Sequence, residues 1–282
     1  MEKLNDLLLL FENRKILIVS LFTAGLMLLL ILTLPSNAAA ADYIIICSGQ
    51  SNMAGVAKIE EMPDELRKMP SNIIYYCPDP KSADPGTIEP KKSFDEGRKK
   101  YGPVPRFAQE IAKANPKDKF IILHNAVGGS ALSQWVPDYT PKEVAEKYKW
   151  GIGNLYKPLQ AQIASIRKLH PEAKMLAFLW LQGETDAFDD TSAIYKDNLA
   201  RLVTNVRKDC GSQEMLAVIA EPAKSSDGVF AGIAAYTKED RNSVLVQTKD
   251  LSGGGRSNLH FNAKGYDELG KRFAKAISGK IK

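Results

Sequence analysis

Six short, uninterrupted apolar runs punctuate the chain: Tyr43–Cys47 (YIIIC), Ile73–Cys77 (IIYYC), Phe120–Leu123 (FIIL), Met175–Trp180 (MLAFLW), Met215–Ala220 (MLAVIA) and Val244–Val246 (VLV). None alternates polar and apolar positions, as a strand with one wet face does. Continuous runs of this length suit strands buried on both faces, the situation in a parallel sheet covered by helices. Between the runs the spacing changes to the helical period. Pro103–Ala114 has proline near its start and stops before Asn115-Pro116. Leu155–Leu169 carries apolar residues at 155, 159, 163 and 166 and stops at His170-Pro171, and Ser192–Lys208 and Lys264–Ile277 have the same character. Proline lacks an N–H and fixes φ, so it is tolerated in a first turn and ends a helix elsewhere. Strand–helix alternation predicts an α/β domain, a three-layer α/β/α sandwich around a central parallel sheet. Ligands of such sheets bind beyond the carboxyl ends of the strands, so the segment after each run is where chemistry is sought.

Residues 16–34 (ILIVSLFTAGLMLLLILTL) break this rhythm: they hold no charge, follow Arg14-Lys15 and precede Ser36-Asn37 and a run of four alanines. Basic flank, apolar core and small-residue run are the parts of a secretory signal. The core exceeds the usual signal core of about 7–15 residues and approaches the roughly 20 that span a bilayer. Residues 1–41 are therefore expected to be a signal peptide or a membrane anchor, and 42–282 the folded domain. Either outcome places that domain outside the cytoplasm, whether secreted, periplasmic or tethered through residues 16–34.

Composition narrows the class. The 282 residues are 44% hydrophobic and 25% charged, which excludes a disordered or fibrous chain. Lys+Arg is 38 against Asp+Glu 33, a net charge of +5 carried by scattered residues and short clusters such as Lys91-Lys92 and Arg98-Lys99-Lys100. No basic stripe suggests nucleic acid as a partner. Cys47, Cys77 and Cys210 form no C-x-x-C, and His124, His170 and His260 no H-x-x-x-H, so neither a disulfide framework nor a metal site is expected. Two connections are long: Pro78–Gly102, and Ser130–Gly153 with Trp135, Tyr139, Tyr148 and Trp150. Long loops in compact domains are usually functional or mobile. Aromatics there suit stacking on a sugar face, or sealing of the loop against the body.

Four strand-end segments carry candidate chemistry. Gly49-Gln50-Ser51-Asn52-Met53-Ala54-Gly55 follows the first run and offers a serine in a tight turn, a nucleophile or an ordinary capping residue. Asn125-Ala126-Val127-Gly128-Gly129-Ser130 follows the third run, and its paired glycines permit close backbone approach to a ligand, or a simple turn. Gln182-Gly183-Glu184-Thr185-Asp186 follows the fourth with an amide and two carboxylates. Asn258-Leu259-His260-Phe261-Asn262 precedes the last helix. His170, at a helix end before proline, reads as surface-exposed, which leaves His124 and His260 near the expected cleft.

Taken in order, these blocks resemble the SGNH (GDSL-like) hydrolase superfamily, in its branch of sialate O-acetylesterase-like and acetyl-xylan-esterase proteins (carbohydrate esterase family six). The branch's G-Q-S-N-M block matches Gly49–Met53, its middle blocks resemble Val127–Ser130 and Gln182-Gly183-Glu184-x-Asp186, and its last matches Leu259-His260 through Gly265 to Leu269-Gly270-Lys271-Arg272. Tyr101-Gly102-Pro103 with Phe107-Ala108 is a further shared element. The resemblance implies a flavodoxin-like sheet of about five parallel strands and a serine esterase that removes acetyl groups from carbohydrate without cofactor or metal. Ser51 is then the nucleophile and His260 its base. Oxyanion donors are expected from the N–H groups of Ser51 and Gly129 and from the Gln182 side chain. Gln50 and Asn52, flanking the serine, and Trp135 are the candidate substrate contacts.

One position departs from the pattern. Many relatives carry Asp three residues before the histidine, where this chain has Ser257. A serine cannot stabilise the imidazolium as a carboxylate does. Glu184 is the expected acid, against Asp186 and Asp250 as the other carboxylates in range. Acetyl transfer to a sugar hydroxyl would use the same site, and a non-catalytic carbohydrate-binding protein would have no need of Ser51 and His260 together.

Overall fold

A computed structural model describes residues 40–138 and 153–281 except 81, 189 and 255–257. The hydrophobic segment 16–34, the loop aromatics Tyr139, Tyr148 and Trp150, and Ser257 lie outside the described residues.

Each of the six apolar runs forms a strand. We label the sheet strands β1 (Asp42–Gly49), β2 (Ile73–Tyr76), β3 (Pro90–Lys91), β4 (Lys119–Ala126), β5 (Lys174–Leu181), β6 (Leu216–Ala220) and β7 (Ser243–Val246). They lie in the order β3-β2-β4-β1-β5-β6-β7. All neighbours are parallel except the two-residue β3, which pairs antiparallel with the end of β2. The sheet is thus larger than the roughly five strands implied by resemblance. β3 comes from inside Pro78–Gly102, read in the sequence as a bare connection. Its density of Pro, Lys and Asp hides a two-residue pairing and a buried Phe94 against Tyr75, ring centroids 5.0 Å apart.

Both faces of β1 are buried, as its unbroken apolar run requires. Tyr43, Ile45 and Cys47 point into one core and Ile44 and Ile46 into the other, all at 0–3% exposure. Fully burying such a side chain contributes about 1.5–3 kcal/mol. The first core is closed by α2 (Val104–Ala114) and α6 (Ala263–Ile277), the second by α3 (Tyr156–Leu169), α4 (Tyr195–Asp209) and α5 (Asp227–Glu239). α1 is the single helical turn Ser51–Ala54. The three-layer sandwich follows directly from this division. α5 was not legible from periodicity, because DGVFAGIAAYTKE carries small and apolar residues on most faces. Its start is marked by Ser226, whose side chain accepts from the Val229 N–H.

Candidate active site

β1 ends beside the end of β5, and the glycine that closes it is required there. Gly49 has φ +147°, and a Cβ on it would lie 2.0 Å from the Leu181 carbonyl oxygen. The Gln50 N–H donates to that same oxygen at 3.0 Å. α1 starts on the next residue, so Ser51 stands half-buried at the carboxyl edge of the central strand. Two side chains hold the far end of this turn. His124, on β4, bonds the Met53 carbonyl through Nε2 at 3.1 Å, and Arg98 donates to the Ala54 carbonyl. Burial, with the nearby Arg98 cation, pushes the His124 pKa down to about 3. The ring is therefore neutral, donating from Nε2 to Met53 and accepting the Tyr75 hydroxyl at Nδ1, 2.7 Å away.

His260 arrives from the other end of the chain. It belongs to a two-residue strand, His260–Phe261, paired antiparallel with Gly253–Gly254. Its Nε2 lies 3.0 Å from Ser51 Oγ. Burial first, and then the charge of Lys100, hold its pKa below the ordinary 6.5. The neutral imidazole at neutral pH is the form that accepts a proton.

The expected acid is not in contact with this histidine. Glu184 Oε1 accepts from Asn52 Nδ2 and from the Ala223 N–H (3.1 Å), while its Oε2 is buried with no hydrogen-bond partner among the described residues. Burial raises the Glu184 pKa from 4.5 to about 7. Asp250 is bound by Arg272 through two bonds of 2.8 and 2.6 Å and is held near pKa 2. Asp186 accepts from the Leu132 N–H (3.1 Å), the Gln182 amide (2.5 Å) and Thr191 (3.2 Å). Among the described residues, no carboxylate hydrogen-bonds His260.

Four other side chains change role for the same reason: they are buried and already bonded. Gln182 is fully buried, and its amide nitrogen faces three acceptors, Gln50 Oε1 (3.1 Å), the Ser130 carbonyl (3.0 Å) and Asp186 (2.5 Å). With two hydrogens and three acceptors, it has none left for an oxyanion. Tyr195, on α4, fixes the other end of that amide by donating to Gln182 Oε1 at 3.0 Å. Gln50 and Asn52, at 2% and 0% exposure, have no surface for a substrate. The Gln50 side-chain Oε1 instead gathers the N–H groups of Gly183 (3.2 Å) and Thr185 (3.3 Å), holding the loop after β5. Trp135 is fully buried, packs edge-on against Trp180 at 5.5 Å and donates to Ser130 Oγ at 3.0 Å. It is part of the core and braces the residue after Gly129.

Gly128 and Gly129 are exposed, and Gly128 lies at the serine. A Cβ on Gly128 would be 3.7 Å from Ser51 Cβ, while one on Gly129, at φ +73°, would meet nothing. His170 caps α3 half-buried and bonds the Tyr76 hydroxyl at 3.0 Å, away from the serine. Sequence reasoning missed His124, Arg98, Tyr195 and Tyr266, whose hydroxyl donates to Asn52 Oδ1 at 2.9 Å, as supports. His124, at the end of an apolar run, carried a visible signal; the others are ordinary core or loop residues until the fold assembles them.

A serine hydroxyl within hydrogen-bond reach of a neutral imidazole, at the carboxyl edge of a three-layer α/β sheet, is an arrangement able to cleave esters. A family profile described as carbohydrate esterase, sialic acid-specific acetylesterase matches residues 41–279. The chain belongs to that family, and it is a carbohydrate acetylesterase. Solved structures share the fold. A protein of Arabidopsis thaliana superposes with TM-score 0.64 at 24% identity, covering 86% of this chain and 100% of that one. A carbohydrate acetylesterase from Xanthomonas citri gives 0.64 at 16% identity over 84% of this chain and 56% of its own, so this chain spans little more than half of that protein. The protein NanS gives 0.62 at 15% identity, covering 85% and 97%.

Proposed function

We propose that Ser51 and His260 hydrolyse O-acetyl esters of carbohydrate through an acetyl-enzyme. Ser51 Oγ attacks the acetyl carbonyl as His260 Nε2 takes its proton. The oxyanion is met by the N–H groups of Ser51 and Gly129, with Gln182 acting beneath them as a brace. Collapse breaks the ester C–O bond, and His260 returns the proton to the leaving sugar oxygen. Water, deprotonated by the same imidazole, then attacks the acetyl-serine; the bond from the acetyl carbon to Ser51 Oγ breaks, His260 returns the proton to Oγ, and acetate leaves. The observation that carries this reading is the 3.0 Å contact between His260 Nε2 and Ser51 Oγ. With Glu184 and Asp250 otherwise engaged, the pair works as a dyad. The substrate is an acetylated polysaccharide or an acetylated sialic acid, the latter supported by the family's description.

Ser51→Ala tests the assignment. The folded variant is expected to lose about 10³-fold or more of its kcat on p-nitrophenyl acetate and on the acetylated sugars. Activity within about tenfold of the unaltered protein would remove Ser51 from the mechanism.

We also propose that the esterase domain works outside the cytoplasm. Support comes from the uncharged segment 16–34 behind Arg14-Lys15, and from the family match beginning only at residue 41. Among the described residues, no helix is long and apolar enough to cross a membrane. The choice between a cleaved signal and an anchor therefore turns on residues 1–41.

A further inference from the structure

We propose that Asn52 is a positioning residue: its carboxamide clamps the backbone on both sides of His260, and Glu184 orients that carboxamide. Asn52 follows Ser51 in the same helical turn, so its side chain and the nucleophile move as one body. Its Oδ1 accepts from the Phe261 N–H at 3.1 Å and from the Tyr266 hydroxyl at 2.9 Å. Its Nδ2 donates to the Leu259 carbonyl at 3.1 Å and to Glu184 Oε1. Two hydrogens and two lone pairs are all engaged. Leu259 C=O and Phe261 N–H are the backbone groups immediately before and after His260. The residue beside the nucleophile thus grips the strand that carries the base. In a serine hydrolase with a triad acid, the carboxylate orients the imidazole through Nδ1. Here Glu184 acts one step further back, through Asn52 and the backbone of residues 259–261.

The residue types fit this role. Aspartate at 52 would turn an acceptor toward both the Leu259 carbonyl and Glu184, and alanine would take one hydrogen bond from each of four groups, the Leu259 carbonyl, the Phe261 N–H, the Tyr266 hydroxyl and Glu184 Oε1. Glu184 holds both the Asn52 amide and the Ala223 N–H on one oxygen, so its acceptor is fixed in direction and distinguishes the nitrogen of the carboxamide from its oxygen. Its second oxygen is buried with no hydrogen-bond partner among the described residues. A glutamine can present one oxygen to the same two donors. The clamp requires that acceptor, whereas a triad acid requires negative charge.

The inference rests on the Ser51–His260 reading, and one series of variants separates the two. Kinetics on p-nitrophenyl acetate are read alongside circular dichroism and the His260 imidazole nitrogen resonances. Asn52→Ala is expected to lower kcat about 10²-fold with KM changed less than about threefold, the scale of a displacement near 1 Å, and to shift the His260 signals. Glu184→Ala is expected to lose about 10–10²-fold, and Glu184→Gln to recover at least about tenfold of that loss. Asn52→Asp decides the matter if the alanine variant does not fold: assayed well above pH 7, where Glu184 has lost its proton, its kcat should rise when Glu184→Gln is added, since the glutamine amide can donate where the carboxylate cannot. A folded Asn52→Ala with kcat within about threefold of the parent overturns the clamp, as does a loss expressed in KM alone. Glu184→Gln as damaging as Glu184→Ala would make the charge essential and return Glu184 to the role of acid. Ser51→Ala in the same assay tests the reading beneath: activity retained there removes the reading itself, while activity lost there and kept in Asn52→Ala removes only the clamp.

Discussion

Glu184 and His124 should pull the pH dependence of stability in opposite directions. His124 ionises near 6.5 in an unfolded chain and near 3 in the fold, where burial excludes its cation. Between those values the unfolded chain binds a proton that the folded chain refuses, so stability falls as pH falls through this window. Glu184 behaves inversely, with its pKa raised from 4.5 to about 7 by burial. Between those values the folded chain keeps a proton that the unfolded chain releases, so stability falls as pH rises. Each slope is at most about 1.4 kcal/mol per pH unit. From about pH 5 to about pH 6.5 the two nearly cancel in the parent, and single variants uncover them. Relative to the parent, Glu184→Gln should gain about 2 kcal/mol over that interval, and His124→Gln should lose about 2 kcal/mol. In melting temperature each is about 4–8 °C, in opposite senses, for a domain of this size. Urea unfolding at four pH values across the interval measures both. Each variant also carries an offset, such as the lost Tyr75 and Met53 bonds at His124, but an offset does not change with pH. His170 and His260, whose pKa values burial also lowers, are common to all three proteins and drop out of the differences. Two flat difference curves, or two of the same sign, would refute the argument that these groups are buried in the states described.

Trp135→Phe should cost about 1–3 kcal/mol, since it removes the bond to Ser130 and part of the contact with Trp180, while KM for an acetylated sugar stays within about twofold. An unchanged melting temperature with a tenfold rise in KM would instead make the ring a sugar platform. In a bacterial host the full chain is expected to be exported, with N-terminal sequencing of a cleaved product starting between about Ala39 and Asp42. Full-length protein in the membrane fraction would identify an anchor, and soluble cytoplasmic full-length protein would refute export.

The sheet was legible along the chain because a strand buried on both faces has no polar alternation to hide it. Tyr43–Cys47 and its five counterparts all formed strands, and their order in sequence led to the carboxyl edge where Ser51 and His260 meet. Both residues lie in short local blocks whose chemistry is stated by residue type. The partnerships among buried polar groups were not legible, because each joins segments far apart in the chain. Asn52 and Glu184 are separated by 132 positions, and Asn52 and Phe261 by 209. Sequence placed Glu184, Gln182, Gln50 and Asn52 in the right neighbourhood but could not say which polar atom would be used by which. A buried amide must satisfy its hydrogen bonds with whatever packing brings within reach. That choice turned a presumed acid, an oxyanion donor and two substrate contacts into supports, and a presumed sugar platform, Trp135, into core. Residue type set what each group is able to do; only the tertiary structure decided which neighbour it does it to.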